Sequence, residues 1–304
     1  MEKVKIQKIS YSGWSNCIQI TNGIVDLIIT TDVGPRIIRY GFIRDKNVFY
    51  EVAPTLGLTG GDEWRMYGGH RLWHSPEDRI RTYEPDNFPV PWEEVAHGIH
   101  TFQAVEPNTG IRKEMEITIS PDSTAVTILH RLTNKGKTRV ELSAWSISAM
   151  APGGKEIVPQ TVNDTGLLPN RVMSLWPYTS LNDSRAYFGG KYIILRHDPH
   201  IRQPFKFGTS NEQGWAAYFN HNQLYVKYYC HYPNALYPDF GVSYETYTNN
   251  FMLEMETLSP LTRLEPSALV EHEEKWELFD NIPMPADNEI EIERVLTGKI
   301  HIPG

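Results

Sequence analysis

Two short stretches of the sequence carry residue types suited to acid–base chemistry and polar-ligand binding. Residues 67–77, YGGHRLWHSPE, place His70, Arg71 and His74 behind a Gly-Gly pair. The glycines let the backbone approach a ligand closely or take unusual torsion angles, and the proline after Ser75 directs the chain into an extended exit. This segment is either a binding or catalytic loop or a polar corner whose side chains satisfy loop carbonyl groups.

The spacing of His70 and His74 would also place two metal ligands on one face of a helix. However, Gly-Gly before them and Ser-Pro after them leave too little room for a helix, and HExxH is absent. The sequence also lacks a P-loop, a GxGxxG after a strand and a GxSxG motif. We therefore expect the protein to work without a bound metal ion or organic cofactor.

The second stretch, residues 250–260 (NFMLEMETLSP), contains two carboxylates in an alternating pattern. In a strand, Glu254 and Glu256 would point to one face and Met255 to the other. Two carboxylates on one strand face are either solvated or line a polar site. Their immediate neighbours are almost all apolar or uncharged, which favours the polar site.

Two aromatic segments leave similar alternatives open. Residues 236–247 place Tyr237 and Asp239 around a Pro-Asp turn, and residues 139–150 place Trp145 among small residues. The tyrosine and aspartate either form a packed turn or contact a ligand, while the tryptophan packs in the core or stacks on a ligand. Aromatic residues make up 12% of the chain, and Tyr and Trp combine an apolar ring with a polar tip that suits a sugar.

The elements that must position these residues are strands. Apolar and polar residues alternate with a period of two, and in residues 17–30 two such runs flank Asn22-Gly23, a pair typical of a type I′ hairpin turn. The other alternating segments are residues 34–42, 100–120, 123–150, 191–197, 215–232 and 250–279. At least about a dozen strands are therefore predicted, in a large antiparallel sandwich of the all-β class.

A single helix is expected over residues 286–297. Asp287 or Asn288 would begin it as the N-cap. Its apolar positions fit the helical period only loosely, and the alternation of Ile290 and Ile292 would also suit a short strand.

Two long irregular segments, residues 54–99 and 150–190, interrupt the alternation. Both are rich in Gly and Pro but keep Trp and Tyr residues, unlike a flexible linker. Long irregular segments inside a compact domain are usually binding loops. We therefore predict one domain over residues 1–304.

Bulk properties exclude several kinds of partner. The net charge is −8 and no basic run occurs, which argues against binding to nucleic acid or to an anionic membrane. No window approaches the roughly 18 apolar residues of a membrane span, and no apolar run follows the charged N-terminus as in a signal peptide. Cys17 and Cys230 lack CxxC spacing and are interpreted as buried free thiols in the cytoplasm.

The order of these segments resembles that of the galactose mutarotase-like superfamily, which includes the aldose 1-epimerases. The resemblance covers nearly the whole chain and is carried by DVGPRIIRYGF (32–42), YGGHRLW (67–73) and FMLEMETLSPLTRLEPSALVEHEEKWELF (251–279). A bacterial branch of that superfamily also shares GGHRLW, a Trp-centred strand before Pro-Gly-Gly, and YPD. The resemblance implies a β-supersandwich with the sugar site in a groove across one sheet.

The resemblance also implies a mechanism. An acid protonates the ring oxygen while a base removes the anomeric hydroxyl proton, so that the ring opens, rotates and recloses on its other face. Such a pair needs pKa values that the environment separates. The resemblance assigns the base to Glu254, which keeps the spacing to Pro260, and makes Glu256 the nearest substitute.

The acid is where this sequence departs from the superfamily. Classical members supply it from a histidine on a middle strand, and here Trp145 or Ser146 stands in that place. His70, His74 or His231 would have to replace it. The site could therefore be retained while the activity is lost or changed.

The resemblance, together with these residues, implies an aldose 1-epimerase-like isomerase acting on a sugar, a sugar acid or an oligosaccharide. Glu254 and His70 would be catalytic, with residues 67–77 and 250–257 lining one pocket. The substrate-binding residues would be Arg71, His74, Trp145, Asp239, Glu256 and Tyr237. The alternatives on the same fold are a non-catalytic carbohydrate-binding protein and a carbohydrate lyase or hydrolase.

Overall fold

The computed structural model describes residues 4–301, and nearly all of its regular structure is strand. Within that range there are 21 strands and one helix. They are β1 Lys5–Tyr11, β2 Trp14–Thr21, β3 Val25–Thr30, β4 Arg36–Phe42, β5 His70–Ser75, β6 Trp92–Val95, β7 Gly98–Phe102, β8 Ile111–Ile119, β9 Val126–Asn134, β10 Val140–Met150, β11 Lys155–Pro159, β12 Met173–Leu175, β13 Ala186–Phe188, β14 Tyr192–Arg196, β15 Phe205–Thr209, β16 Trp215–Asn220, β17 Gln223–Tyr229, β18 Tyr244–Thr248, β19 Leu253–Leu258, β20 Thr262–Leu264, β21 Leu269–Phe279 and α1 Glu289–Leu296. The predicted all-β class is confirmed.

The strands form two large antiparallel sheets. The first sheet has eleven strands in the order β1-β2-β3-β4-β5-β10-β19-β18-β15-β12, with β20 paired to β10. The second has ten, in the order β13-β14-β11-β16-β17-β21-β9-β8-β7-β6. One apolar cluster joins inward-facing residues of both sheets, such as Ile29 and Leu253 from the first and Ile117 and Trp276 from the second. This arrangement confirms the predicted β-supersandwich.

The hairpin predicted at Asn22-Gly23 joins β2 to β3 as expected. Gly23 has a φ of 89°, but Asn22 keeps a negative φ, so the turn is not of type I′. The Asn22 side-chain oxygen instead accepts hydrogen bonds from the backbone N–H groups of Ile24 and Val25. These side-chain hydrogen bonds stabilise the turn without the second positive φ that a type I′ turn requires.

The helix predicted near the C-terminal end is confirmed as α1. Asn288 is its N-cap, and its side-chain oxygen accepts a hydrogen bond from the backbone N–H of Glu291 at 2.9 Å. Ile292 and Leu296 pack against strands of the second sheet, whereas Ile290 is exposed. Burial with a spacing of four residues is helical, which rules out the short strand.

Residues 70–75 form strand β5, and they do not form the loop or corner expected from the sequence. Gly69 has a φ of 68° and lies so close to β4 that an added Cβ would be 2.3 Å from the backbone oxygen of Ile37. The Gly-Gly pair therefore lets the chain turn and run directly beside β4 and β10. All six residues of the strand are buried, and they point alternately to the two faces of the sheet.

A polar network lies in the core beneath β5, β10 and β19. The Nε2 atoms of His70 and His130 are 2.7 Å apart, and Nδ1 of His130 donates to the backbone oxygen of His272. Lys227 and Glu274, both fully buried, form an ion pair at 3.0 Å. The carboxylate of Glu274 also accepts hydrogen bonds, donated by Ser146, Thr257 and Trp276. The buried charges are therefore paired and hydrogen-bonded across the two sheets.

The interpretation of both cysteines as buried thiols is wrong for Cys230. In the described part of the chain both cysteines are free, Cys17 buried in β2 and Cys230 exposed just after β17. Between residues 4 and 301, no helix is long and apolar enough to cross a membrane.

The buried histidines should make stability fall in mildly acidic solution. Burial lowers the pKa of His272 to about 3, although Glu274 opposes the change. Because the folded-state pKa lies below the ordinary value of about 6.5, the unfolded chain binds a proton first as the pH falls. The contribution of His272 to stability is therefore full above about pH 6.5 and declines toward pH 3, by about 1.4 kcal/mol per pH unit.

Urea unfolding between pH 8 and 5 measures this slope. His272→Gln should flatten it, whereas His200→Gln, which changes an exposed histidine, should not. Buried carboxyl groups with raised pKa values, such as Glu156, change stability in the opposite direction, so the test is the difference between the variant and wild type. A His272→Gln protein with the same pH dependence as wild type would contradict the neutral buried histidine.

Candidate functional site

The outer face of the first sheet gathers charged and aromatic side chains from five adjacent strands, β5, β10, β19, β18 and β15. The strand register places Arg71 and Glu256 on either side of Ile147. In the neighbouring row, Tyr247 lies between Glu254 and Lys206. Because cross-strand partners point to the same face, these residues face one region of the surface.

These side chains line a cavity of about 520 Å³, called the first chamber. Its volume falls within the ~300–1,000 Å³ range of small-molecule sites. Its polar floor contains Arg71, Lys206, Glu254 and Glu256. Its aromatic lining includes Trp64, Trp73, Tyr83, Trp145, Tyr178 and Tyr247.

An ion pair fixes the orientation of Glu254. Nη1 of Arg71 lies 2.9 Å from Oε1 of Glu254, and the guanidinium lies over the ring of Trp73, 4.4 Å from its centroid. The side chain of Glu254 keeps 9% of its surface exposed, so the carboxylate borders the cavity while one oxygen is held. This is a carboxylate that a ligand in the chamber can reach.

A second charged cluster pairs two carboxylates, Glu245 and Glu256, with the ammonium of Lys206. The Nζ atom of Lys206 lies 2.7 Å from Glu245 and 2.9 Å from Glu256. Burial raises the pKa of Glu256 and Lys206 only partly opposes it; the pKa of Glu245 is likewise raised by burial. The single ammonium of Lys206 neutralises only one of the two buried carboxylates. A proton shared by Glu245 and Glu256 would neutralise the other.

A second chamber of about 500 Å³ adjoins the first. Glu77, Tyr83 and Trp145 line both. The second chamber is further lined by Asp78, Arg79, Trp176, Asp239 and Glu245. Four of the residues predicted for the site, Arg71, Trp145, Glu254 and Glu256, therefore line the first chamber, and Asp239 lines the second.

Residues of both predicted segments, 67–77 and 250–257, line the first chamber, but the placement of His70 in that pocket beside Glu254 is wrong. Side chains alternate along β5, so Arg71 and Trp73 face the first chamber and His70 faces the core. His70 is fully buried, and Nδ1 lies 2.9 Å from the hydroxyl of Ser148. Among the described residues no histidine lines the first chamber, so none there can serve as the missing acid.

Two more predicted residues lie away from the chambers. His74 shares the core-facing side of β5 with His70 and has Nε2 3.6 Å from Glu106. The ring of Tyr237 stacks on His231 with 5.2 Å between centroids, and its hydroxyl accepts a hydrogen bond from the backbone N–H of Tyr232. Both residues support local packing. For Tyr237, the structure agrees with a packed turn and not with a ligand contact.

One cluster in the described range offers metal-ligand atoms: His70, His130 and Glu274, all within 4.8 Å of one another. Two nitrogens bound to a tetrahedral zinc at about 2.0–2.1 Å would be roughly 3.3 Å apart, whereas the two imidazoles are 2.7 Å apart. The ammonium of Lys227 already neutralises the carboxylate. Burial also lowers the pKa of both histidines, so the geometry fits a hydrogen bond between neutral rings better than a metal ion.

Several residues that line the first chamber are not predicted from the sequence. Lys206 is a lone lysine between two phenylalanines in β15, and such a charge in an apolar strand is a usable signal of a pairing partner. Tyr247 alternates with Glu245 in β18 and could have been found in the same way. Trp64, Tyr83 and Tyr178 lie in irregular segments, where no periodic pattern indicates direction.

The fold is the galactose mutarotase-like β-supersandwich, with a ligand-sized chamber on the outer face of one sheet. Among solved structures it is similar to a galactose mutarotase-like protein from Clostridium acetobutylicum, with a TM-score of 0.56, 11% identity, and coverage of 92% of this chain and 100% of that one. A galactose mutarotase-like protein from Lactobacillus casei has a TM-score of 0.54 at 10% identity, covering 87% and 100%. A galactose mutarotase related enzyme from Lactobacillus acidophilus has 0.50 at 9%, covering 88% and 99%. The sequence matches no protein-family model and no curated protein.

Proposed function

We propose that the protein binds a sugar in the first chamber and interconverts its anomers, as an aldose 1-epimerase-like isomerase. The observation that carries this proposal is the carboxylate of Glu254, held by Arg71 at the floor of an aromatic chamber. The aromatic rings suit the C–H faces of a sugar, and the charged floor suits its hydroxyl groups. The similar structures contribute only the fold to this argument.

Two donors in the chamber support a polar ligand. Nε1 of Trp64 and Nε of Arg71 are shielded from solvent and have no hydrogen-bond partner among residues 4–301. Unpaired buried donors are costly, and a sugar hydroxyl would supply an acceptor for either. The ligand would thus complete hydrogen bonds that the chain leaves open.

Catalysis would use the two glutamates of β19. Glu254 would remove the proton of the anomeric hydroxyl as the bond from C1 to the ring oxygen breaks, and Glu256 would donate its proton to that oxygen. The open-chain aldehyde would rotate about the C1–C2 bond and reclose, with both protons returned. Trp145 occupies the position where the resemblance places a histidine, and its indole N–H, which donates to Glu256 at 2.9 Å, is not a proton source at neutral pH. The acid role would fall to Glu256, because burial raises its pKa although Lys206 opposes the change.

The alternative is a non-catalytic carbohydrate-binding protein, favoured by the tryptophan at the expected histidine position. Polarimetry of anomer equilibration on a panel of aldoses, with calorimetry on the same sugars, separates the two. Acceleration by wild-type protein supports the isomerase. Binding without acceleration would overturn the isomerase and leave the binding protein.

We further propose that the protein works in a reducing compartment such as the cytoplasm. Both cysteines are free thiols, and one of them is exposed. Disulfides are rare in reducing compartments, so an exposed free thiol is compatible with this location.

Trp64 should contribute to binding through its ring. Trp64→Ala should weaken the affinity for the sugar roughly 2–12-fold, because an aromatic contact contributes about 0.5–1.5 kcal/mol. Calorimetry measures the change. Trp92→Ala, which removes a half-buried tryptophan from the other sheet, is the matched control and should leave affinity unchanged. Equal losses in both variants would contradict a contact at Trp64.

A further inference from the structure

We propose that the substrate is a reducing disaccharide or longer saccharide, with its reducing ring in the first chamber and the next ring in the second. The second ring would be uncharged or amino-substituted, and not a uronate. This inference rests on the proposed sugar site and names the class of sugar that it takes.

The two chambers are similar in size and share part of their lining. Their volumes are nearly equal, about 520 and 500 Å³. Glu77, Tyr83 and Trp145 belong to the walls of both, and the hydroxyl of Tyr83 donates to Glu77 at 2.6 Å. Two adjoining spaces of similar size that share a wall fit two linked rings better than one ring.

The second chamber has its own aromatic surface. Trp176 lines the second chamber and not the first. Nζ of Lys206 lies between Trp176 and Trp145, 4.6 Å from one ring centroid and 4.7 Å from the other. The lysine is itself held by two carboxylates, so both indole rings contact an ammonium group whose own position is determined by ion pairs. A second sugar ring would therefore meet a preformed stacking surface.

The charge of the second chamber determines which substituents the second sugar ring can carry. Three acidic side chains, Glu77, Asp78 and Asp239, line the chamber against the single basic side chain of Arg79, and a fourth, Glu245, is paired with Lys206. Glu245 is 1% exposed, and its Oε1 has no hydrogen-bond partner within residues 4–301. An acceptor without a donor suits a hydroxyl or amino group, whereas a carboxylate on the second ring would meet like charges.

The position of Glu254 sets the orientation of the saccharide. Glu254 lines the first chamber only, and it is the group proposed to act on the anomeric hydroxyl. The ring that carries a free anomeric carbon must therefore lie in the first chamber. The glycosidic bond would then pass the shared wall near Trp145.

Calorimetry on aldoses and on reducing disaccharides that contain them tests the proposal. At least one disaccharide should bind roughly 2–12-fold more tightly than its reducing monosaccharide, as expected for one added aromatic contact. Trp176→Ala should remove this gain, lowering disaccharide affinity more than monosaccharide affinity, whereas Trp64→Ala should weaken both ligands to a similar degree. Replacing the second ring by a uronate should weaken binding, and Asp239→Asn should reduce that penalty.

The possible failures are distinguishable. If monosaccharides bind but no disaccharide binds more tightly, or if Trp176→Ala weakens both ligands equally, the two-ring proposal is overturned and the proposed sugar site stands. If no saccharide of either length binds, both are overturned. Preference for the uronate disaccharide would overturn the assigned ring class.

Discussion

Glu254→Gln should slow the catalysed interconversion of anomers by about 10²–10⁴-fold, the usual contribution of a general base. Glutamine keeps the size of the side chain and one oxygen for Arg71, but it cannot accept the proton of the anomeric hydroxyl. Sugar affinity should change little, because the aromatic walls and the remaining polar floor are intact. Polarimetry measures the rate and calorimetry the affinity.

Arg71 loses a charged partner in this variant, so thermal unfolding should be followed alongside the kinetics. Glu273→Gln removes an exposed carboxylate from the outer face of β21 and is the matched control, with wild-type rates expected. A Glu254→Gln protein that is folded, binds sugar and retains the wild-type rate would remove Glu254 from the mechanism. Glu256→Gln would then test the neighbouring carboxylate as the base.

Glu274→Gln should lower the free energy of unfolding by about 3–5 kcal/mol, because it leaves the ammonium of Lys227 buried and unpaired. Both side chains have no solvent exposure. Burial alone would raise the pKa of Glu274, but Lys227 and the nearby histidines outweigh it and hold that pKa far below its usual value. Urea unfolding at neutral pH measures the loss.

The same strand supplies a control for this experiment. Glu271 pairs with Arg131 at 2.7 Å but is half exposed, and Glu271→Gln should cost about 0–1 kcal/mol. Lys227→Met combined with Glu274→Gln should recover part of the stability, since no unpaired charge remains. A loss for Glu274→Gln no larger than that for Glu271→Gln would show that the buried ion pair is not a main source of stability.

Local sequence patterns predicted the structure correctly where a single signal determined the face of a strand or the start of a helix. Alternation along β19 placed Glu254 and Glu256 on one face, and the cap at Asn288 predicted α1. In β5 the local signals indicated a loop, because glycines precede the strand and a Ser-Pro pair ends it. Pairing with β4 and β10 outweighs those local signals, and no short-range pattern contains that pairing.

The site depended still more on distant pairing. The order β5-β10-β19-β18-β15 brings Lys206 beside Glu256, 50 residues apart in the chain. The sequence shows which residues share a face of one strand, but it does not show which strands are neighbours. Trp64 and Tyr83 reach the chamber from irregular segments, where even the side-chain direction is open. For these reasons the sequence wrongly predicts His70 as a site residue and does not place Lys206 in the site.

The central strands carry two functions on opposite faces, and this limits how the protein can change during evolution. Substitutions at Arg71, Trp145 or Glu256 alter the chamber, while their chain neighbours His70, Ser146 and Thr257 keep the core network intact. Insertion or deletion of one residue within such a strand would exchange the two sets of side chains. Charged and indole groups would then enter the core, and histidine and hydroxyl groups would line the chamber. New ligand specificities are therefore accessible by substitution, whereas the lengths of β5, β10 and β19 should remain constant among descendants of this chain.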